Sequence, residues 1–249
     1  MTVPTYQAPH SLARISREVP AYALMQLRNR MGGPVRIPKA DRPVRVVLFP
    51  GLTAAPSSMK RLGDSLREAG CEVYDWGEGR NLGFRPDMLD NLDKRLRALS
   101  ADGQKLTLIG WSMGGLIARE VAKCHPSRIE QVITLGSPFS GDIMQNNNAV
   151  KTYRLLAGHD ACDVPMAPTL GEKPPVPTIA LWSHRDGVVA AGAACGADEE
   201  RDSSIEVACA HMSYGCCPDV IRAVAEAMGL GIGQSARQQD YNAPLRAIA

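Results

Sequence analysis

Short segments rich in apolar residues alternate along the chain with longer segments in which apolar residues recur every three or four positions. A continuous apolar run is typical of a strand buried on both faces, and the wider spacing is typical of a helix that buries one side. The predicted strands are residues 44–49, 71–76, 105–110, 131–136, 178–183 and 204–209. The predicted helices are residues 57–69, a segment that begins at Asp87, residues 113–125 and residues 218–228.

This alternation predicts an α/β fold. Parallel strands need crossover connections, and the helices between the strands supply them. We therefore expect a mostly parallel, open sheet of at least six strands with helices on both faces. Ligands of such sheets bind beyond the carboxyl ends of the strands, so candidate chemistry is sought there.

Three segments depart from the alternation. Residues 1–43 precede the first strand, and we predict an amphipathic helix over residues 11–31 that lies against the central domain. Residues 141–177 are interpreted as an insertion that forms a small cap over the strand ends, with a proline-bearing second half. Residues 229–249 are predicted to be a loose tail, which leaves residues 44–228 as the central domain.

Composition narrows the class of protein. The chain has 249 residues, 45% of them hydrophobic, which suits one globular domain with a full core. Its 28 basic and 26 acidic side chains leave a formal charge of +2 and form no basic stripe, so nucleic-acid binding is disfavoured. The sequence contains no secretory signal and no apolar run long enough to cross a membrane, so we expect a cytoplasmic protein without stable membrane insertion.

The seven cysteines include no CxxC pair, and reduced thiols are the default expectation. A metal site built from Cys209, His211, Cys216 and Cys217 is disfavoured, because adjacent cysteines lack the spacing typical of zinc ligands. A disulfide between Cys195 and Cys209 stays open. No metal or other cofactor is expected.

One serine lies in a distinctive turn. Residues 110–114 read GWSMG and match G-x-S-x-G, at the point where a predicted strand ends and a helix begins. Glycines two positions either side of Ser112 let the backbone pass close to itself there. The alternative interpretation is a glycine-rich turn that contains an incidental serine.

This turn and its setting resemble the α/β-hydrolase superfamily over residues 44–228, with a looser likeness to its bacterial esterase and lipase branches. The resemblance implies that Ser112 is a nucleophile served by an acid and a histidine, in the chain order serine, acid, histidine. It also implies an esterase or lipase-like serine hydrolase.

A serine hydroxyl needs an imidazole to take its proton and a carboxylate to orient that imidazole. His211 is the one histidine that comes after Asp186 and follows a predicted strand. Asp186 itself follows the strand over residues 178–183, in a glycine-containing turn. The catalytic triad implied by the resemblance is therefore Ser112, Asp186 and His211. The alternatives are a structural histidine and a solvent-facing turn aspartate.

Two backbone N–H groups commonly stabilise the negative charge that develops on an acyl oxygen. By resemblance, these belong to Met113 and to Leu52, which follows Gly51 after the first strand. Pro50 stands where lipases carry a histidine, so the hydrogen bonds that hold the lipase loop are missing here. An ordinary type II turn is the alternative. The segment GEGRNLG at residues 77–83 is interpreted as a loop at the sheet edge.

Apolar residues of the first loop and of the insertion are candidates to line an acyl pocket, although each could equally pack the insertion against the domain. They are Leu52, Phe139, Ile143, Met144, Tyr153, Leu155, Leu156, Met166 and Leu170. GxGxxG and the P-loop are both absent, so a neutral carboxylic ester suits the sequence better than a phosphorylated substrate.

Two other functions fit the same residues. One is an acyltransferase that passes the acyl group of the same acyl-enzyme to an alcohol or amine. The other is a non-catalytic binding protein on the same fold. The acyl chain length, the alcohol portion of the substrate and the oligomeric state are left open by the sequence.

Overall fold

Six parallel strands form one sheet in the order β2-β1-β3-β4-β5-β6. The computed structural model describes residues 12–85, 87–141 and 170–231, with side chains from residue 16 onward. The strands are β1 (Arg45–Phe49), β2 (Glu72–Asp75), β3 (Leu106–Trp111), β4 (Ile129–Leu135), β5 (Thr178–Trp182) and β6 (Ser203–Glu206). The predicted fold class is confirmed.

Burial explains why the strand predictions succeed. Strands β1, β3, β4 and β5 are buried almost throughout, whereas the edge strands β2 and β6 are partly exposed. The prediction is least accurate at the second edge, where β6 ends at Glu206 and the predicted strand continues to residue 209. Beyond Glu206 the chain leaves the strand and turns toward His211.

Helices cover both faces of the sheet. They are α1 (Leu12–Met31), α2 (Lys60–Glu68), α3 (Met88–Leu99), α4 (Met113–Cys124), the short α5 (Ala191–Cys195) and α6 (Pro218–Ala227). On one face, Met25 of α1, Leu66 of α2 and Val224 of α6 share a core cluster. On the other, Leu92 of α3 and Val121 of α4 do so.

The strand register determines which loops become neighbours. Phe49 is paired with Gly110, and Trp111 is paired with Leu135, so the residues after β1, β3 and β4 begin side by side. Near the β6 edge of the sheet, Trp182 at the end of β5 is paired with Glu206 at the end of β6. The segments that follow β5 and β6 therefore also start together, and these carry Asp186 and His211.

Helix α1 packs on the domain, but its polar and apolar residues are not segregated as an amphipathic helix requires. Polar Glu18 and Asn29 are buried, whereas Val19 is 74% and Met31 79% exposed. Asn29 donates to the Ser58 carbonyl at 2.8 Å and accepts the Arg61 N–H at 3.1 Å. Polar contacts thus anchor this helix alongside apolar ones.

Two expectations fall largely outside the described residues. Of the proposed cap, residues 142–169 lie outside them, and Leu170 packs with Phe139 and Leu116. Of the predicted tail, residues 229–231 are described, and Leu230 is buried in the core. Within the described ranges, no helix has the length and apolar composition that crossing a membrane requires.

A buried guanidinium connects α4 to two neighbouring loops. Arg119 donates to the carbonyl oxygens of Gly171, Glu172 and Glu200 at 3.1–3.2 Å and stacks 4.1 Å above the Phe139 ring. Burial lowers the pKa of Arg119 to about 10, so the side chain remains charged at neutral pH. This cation holds residues 170–172 against the helix.

We expect Arg119→Leu to lower the free energy of unfolding by about 1–3 kcal/mol, because three partly buried carbonyl acceptors lose their donor. Urea denaturation checks this value. The matched control is Arg222→Leu on an exposed position of α6, which we expect to change it by less than about 0.5 kcal/mol. Equal effects of the two substitutions would contradict the assignment.

Candidate active site

The backbone is strained at Ser112, between the end of β3 and the start of α4. Its φ of 53° and ψ of −121° lie in a region that a residue with a side chain rarely adopts. The Ser112 N–H donates to the Leu135 carbonyl at 2.9 Å, and the Ser112 carbonyl accepts the Gly115 N–H at 2.9 Å. The predicted sharp turn is therefore present at Ser112.

The glycines around Ser112 occupy places with no room for a side chain. A Cβ atom at Gly110 would lie 2.4 Å from the Gly115 backbone, and one at Gly114 would lie 2.2 Å from the Phe49 carbonyl oxygen. A Cβ atom at Gly115 would lie 2.0 Å from Ser137 Oγ. Close approach of β1, β3 and the segment after β4 thus explains why the motif needs glycine.

Asp186 and His211 form a buried pair. Asp186 is 1% exposed and His211 3% exposed, and Asp186 Oδ2 lies 2.7 Å from His211 Nδ1. The other oxygen, Asp186 Oδ1, accepts the N–H groups of Val188 at 2.8 Å and Val189 at 2.7 Å. The carboxylate is held by its own loop, and it favours the imidazole tautomer that carries its proton on Nδ1.

Opposing influences set the pKa of His211. Burial lowers it, whereas the charge of Asp186, the hydrogen bond to Asp186 and the charge of Glu18 raise it, and the net pKa lies above the ordinary value. The proton on Nδ1 leaves Nε2 as the acceptor of the neutral ring. The ring can thus take a proton at Nε2 while its other side stays bound to a carboxylate.

Ser112 and His211 line one cavity of about 450 Å³. Trp111 of β3 and Leu116 of α4 line it, and so does Met212 of the turn that begins at His211. In the described structure the Ser112 hydroxyl and the imidazole are not hydrogen-bonded to each other. In hydrolytic sites this contact commonly tightens when substrate binds.

The two predicted oxyanion donors also meet at this cavity. Leu52 and Met113 both line it, and neither backbone N–H donates to another group of the described residues. Leu52 follows β1, and Met113 begins α4 directly after Ser112. Both N–H groups therefore belong to residues that line the cavity together with Ser112.

Asn81 holds the Leu52 loop, a role that the sequence analysis missed. Its side-chain amide donates to the Pro50 carbonyl at 2.7 Å, and its backbone carbonyl accepts the Thr53 N–H at 2.6 Å. Asn81 is completely buried. The segment at residues 77–83 does follow the edge strand β2, but it also supplies hydrogen bonds that hold the loop after β1. A lone asparagine in a glycine-rich loop gives no sequence signal for this role.

The predicted pocket residues fare differently. Leu52 lines the cavity. Phe139 and Leu170 pack with Leu116, which also lines the cavity, but they are not themselves among its lining residues. The Arg119 guanidinium stacks on the Phe139 ring. The other candidates lie outside the described residues: Ile143, Met144, Tyr153, Leu155, Leu156 and Met166.

Helix α1 supplies a wall of the cavity that the sequence analysis did not anticipate. Tyr22, Met25 and Gln26 line the cavity from this helix. The predicted helix over residues 11–31 indicated packing on the domain without showing which part of the domain it meets.

The cysteines near His211 are free thiols, and Cys195 and Cys209 are not bonded to each other. Interaction between the Cys209 and Cys217 thiols lowers the pKa of Cys217 to about 6 and raises that of Cys209. Among the described residues, no group of three or more His, Cys, Asp or Glu side chains is arranged to hold a metal ion.

We expect Gly114→Ala to lower the free energy of unfolding by about 1–3 kcal/mol, because the new Cβ atom would overlap the Phe49 carbonyl. Chemical denaturation measures the loss. Gly33→Ala is the control, since a Cβ atom there would meet nothing within 4 Å. A Gly114→Ala protein as stable as the control would show that the turn accommodates a Cβ atom at this position.

Comparison with known proteins gives partial sequence matches and broad structural ones. The pimeloyl-[acyl-carrier protein] methyl ester esterase of Citrobacter koseri is 38% identical over 61 residues, which are 24% of this chain and 23% of that protein. The first curated relatives are covered over less than a quarter of their own length.

Two solved structures share the fold at 19% identity. The Paleococcus ferrophilus monoacylglycerol lipase has a TM-score of 0.53, with 77% of this chain and 95% of that chain covered. The RedJ thioesterase of the prodiginine pathway in Streptomyces coelicolor has a TM-score of 0.50, with 81% and 98% covered. Residues 46–240 match the sequence profile of the alpha/beta hydrolase family. Because that match spans the sheet, the turn at Ser112 and the Asp186–His211 pair, this chain belongs to the alpha/beta hydrolase family.

Proposed function

We propose that this protein is a serine hydrolase that cleaves carboxylic esters, with Ser112 as nucleophile, His211 as general base and Asp186 as the group that orients His211. The observation that carries the proposal is the buried 2.7 Å contact between Asp186 and His211, on a histidine that lines the same cavity as Ser112. The family supports hydrolase activity, and esterases and lipases stand among its relatives.

In the first half of the reaction, His211 Nε2 takes the Ser112 proton while Ser112 Oγ attacks the ester carbonyl carbon. The carbonyl oxygen becomes negative and is stabilised by the backbone N–H groups of Met113 and Leu52. Asp186 stabilises the imidazolium without taking its proton. The imidazolium then protonates the departing alcohol oxygen, the bond between carbon and that oxygen breaks, and the acyl group stays on Ser112.

In the second half, water occupies the place of the alcohol. His211 takes a proton from the water as its oxygen attacks the acyl carbon, and the bond to Ser112 Oγ breaks as that oxygen regains a proton. The carboxylic acid leaves. The two halves use the same proton acceptor and the same oxyanion donors, so the chain's own residues suffice for the cycle.

The cavity points to a substrate of modest size with an apolar part. Its volume of about 450 Å³ is within the usual range for small-molecule sites, and Met25, Leu52, Trp111 and Leu116 give it apolar walls. We propose an ester with a short or medium acyl group.

Labelling with a fluorophosphonate tests the nucleophile. We expect the wild-type protein to be labelled at Ser112, and Ser112→Ala to lose labelling together with about 10⁴-fold or more of its turnover of p-nitrophenyl esters. The matched control is Ser127→Ala, an exposed serine beyond α4, which should retain both. Peptide mass spectrometry locates the label.

Labelling of another residue, or full activity of Ser112→Ala, would refute the proposal. Transfer of the acyl group to an added alcohol in preference to water would identify an acyltransferase instead.

We also expect Asn81→Ala to lower kcat for ester hydrolysis by about 10- to 100-fold, because the Leu52 N–H loses its fixed position. Steady-state kinetics measures the loss, and thermal denaturation shows whether the fold is retained. Asn91→Ala on α3 is the control, since its side chain donates a hydrogen bond to the exposed Asp87 carboxylate on the same helix turn. An unchanged kcat in a folded Asn81→Ala protein would remove Leu52 from the oxyanion site.

A further inference from the structure

Glu18 of helix α1 is a buried carboxylate that binds the backbone on both sides of the Asp186–His211 pair. Its side chain accepts the Gly187 N–H at 2.7 Å and the His211 N–H at 3.0 Å through Oε1, and the Met212 N–H at 3.0 Å through Oε2. The residue is 6% exposed. Burying a carboxylate is costly unless it is well bonded, and three N–H donors meet that requirement.

These three donors belong to two loops that the chain reaches separately. Gly187 follows Asp186 in the loop after β5, and His211 and Met212 open the turn after β6. In the first loop, consecutive N–H groups are divided between the carboxylates: Gly187 donates to Glu18, and Val188 and Val189 donate to Asp186. Glu18 thus connects the loop of the acid to the turn of the base.

Anchoring of α1 alone does not account for this placement. Asn29, near the other end of α1, anchors the helix at Ser58 and Arg61, which belong to neither the Asp186 loop nor the His211 turn. Glu18 instead binds the backbone N–H of His211 itself and that of the residue next to Asp186. Both contacts bear directly on where the two side chains stand.

We propose that Glu18 is a positioning residue that holds the Asp186 loop and the His211 turn in fixed positions relative to each other. It also adds a second negative charge beside the imidazole. The inference rests on the proposed function. It places part of the active-site support outside residues 46–240, the region that matches the family.

The charges that face His211 come from two carboxylates, those of Asp186 and Glu18. Tyr214 packs edge-on against the imidazole at 6.1 Å between ring centres, and burial raises its pKa well above the ordinary value. Interaction with the Cys217 thiol, together with burial, raises the pKa of Cys209. Tyr214 and Cys209 are therefore neutral in the pH range in which the imidazole titrates. Removal of the Glu18 charge leaves the Asp186 carboxylate as the remaining negative charge that faces His211.

The pH profile of kcat/KM separates positioning from simple anchoring. Glu18→Gln keeps the shape and removes the charge, so the imidazolium is less stabilised and the pKa of His211 falls. Because the base must be unprotonated, the acidic limb of the profile should move to lower pH than in the wild-type protein. Arg30→Ala, an exposed residue on the same helix, should leave the limb in place.

Glu18→Asp supplies the complementary variant. It keeps the charge, but its shorter side chain does not reach all three N–H groups. We expect kcat to fall by about 10- to 100-fold while the acidic limb stays nearer to that of the wild-type protein than in Glu18→Gln. KM for a small ester should change little, whereas displacement of α1 as a whole would move Tyr22 and Met25 in the cavity wall and change KM.

An acidic limb and a kcat that both match the wild type in Glu18→Gln would overturn the inference, even if that variant melts at a lower temperature. Should Glu18→Gln not fold, a wild-type kcat in Glu18→Asp would overturn it equally. Failure of the proposed function looks different: the wild-type protein itself would show no fluorophosphonate label at Ser112 and no ester turnover.

Discussion

The site depends on close backbone packing around Ser112. At the ends of β1, β3 and β4, Gly110, Gly114 and Gly115 lie against main-chain atoms or Ser137, at distances that exclude any side chain. This packing imposes the positive φ of Ser112, a conformation that costs roughly 1–3 kcal/mol. The paired strands on either side maintain that conformation, and the serine is thereby presented at the sheet edge.

The second half of the site is built from buried polar groups. Asp186, His211 and Glu18 are all withdrawn from water, and their hydrogen bonds run mainly to backbone N–H groups of two loops. A network of this kind is stable only when its members are satisfied together. The resulting rigidity suits His211, which must accept a proton in one fixed direction. The need to satisfy these buried groups also explains why α1 contacts the domain through the charged side chain of Glu18.

Local pattern was enough to predict the sheet, and the resemblance to the α/β-hydrolase superfamily was needed to predict the Asp186–His211 pair. The central strands are buried on both faces, so their composition alone marks them, and the G-x-S-x-G turn places Ser112 at a strand end. Chain order then leads to Asp186 and His211, which the structure brings within 2.7 Å. Their catalytic roles remain proposals.

Asn81 and Glu18 could not be predicted in the same way. Asn81 acts on a carbonyl 31 positions away, and Glu18 on N–H groups 169 to 194 positions away. Nothing in the sequence near a helical glutamate separates a buried acceptor from a solvated one. Phe139 shows the same limit for apolar residues, since hydrophobicity does not reveal which of two neighbouring apolar regions a ring enters.

Helix α1 matters for a further reason. Since it builds one wall of the cavity with Tyr22, Met25 and Gln26 and yet precedes the stretch that matches the family, part of the cavity lies outside residues 46–240. A change in the side chains of this one helix therefore alters the shape of the cavity while the turn at Ser112 stays as it is.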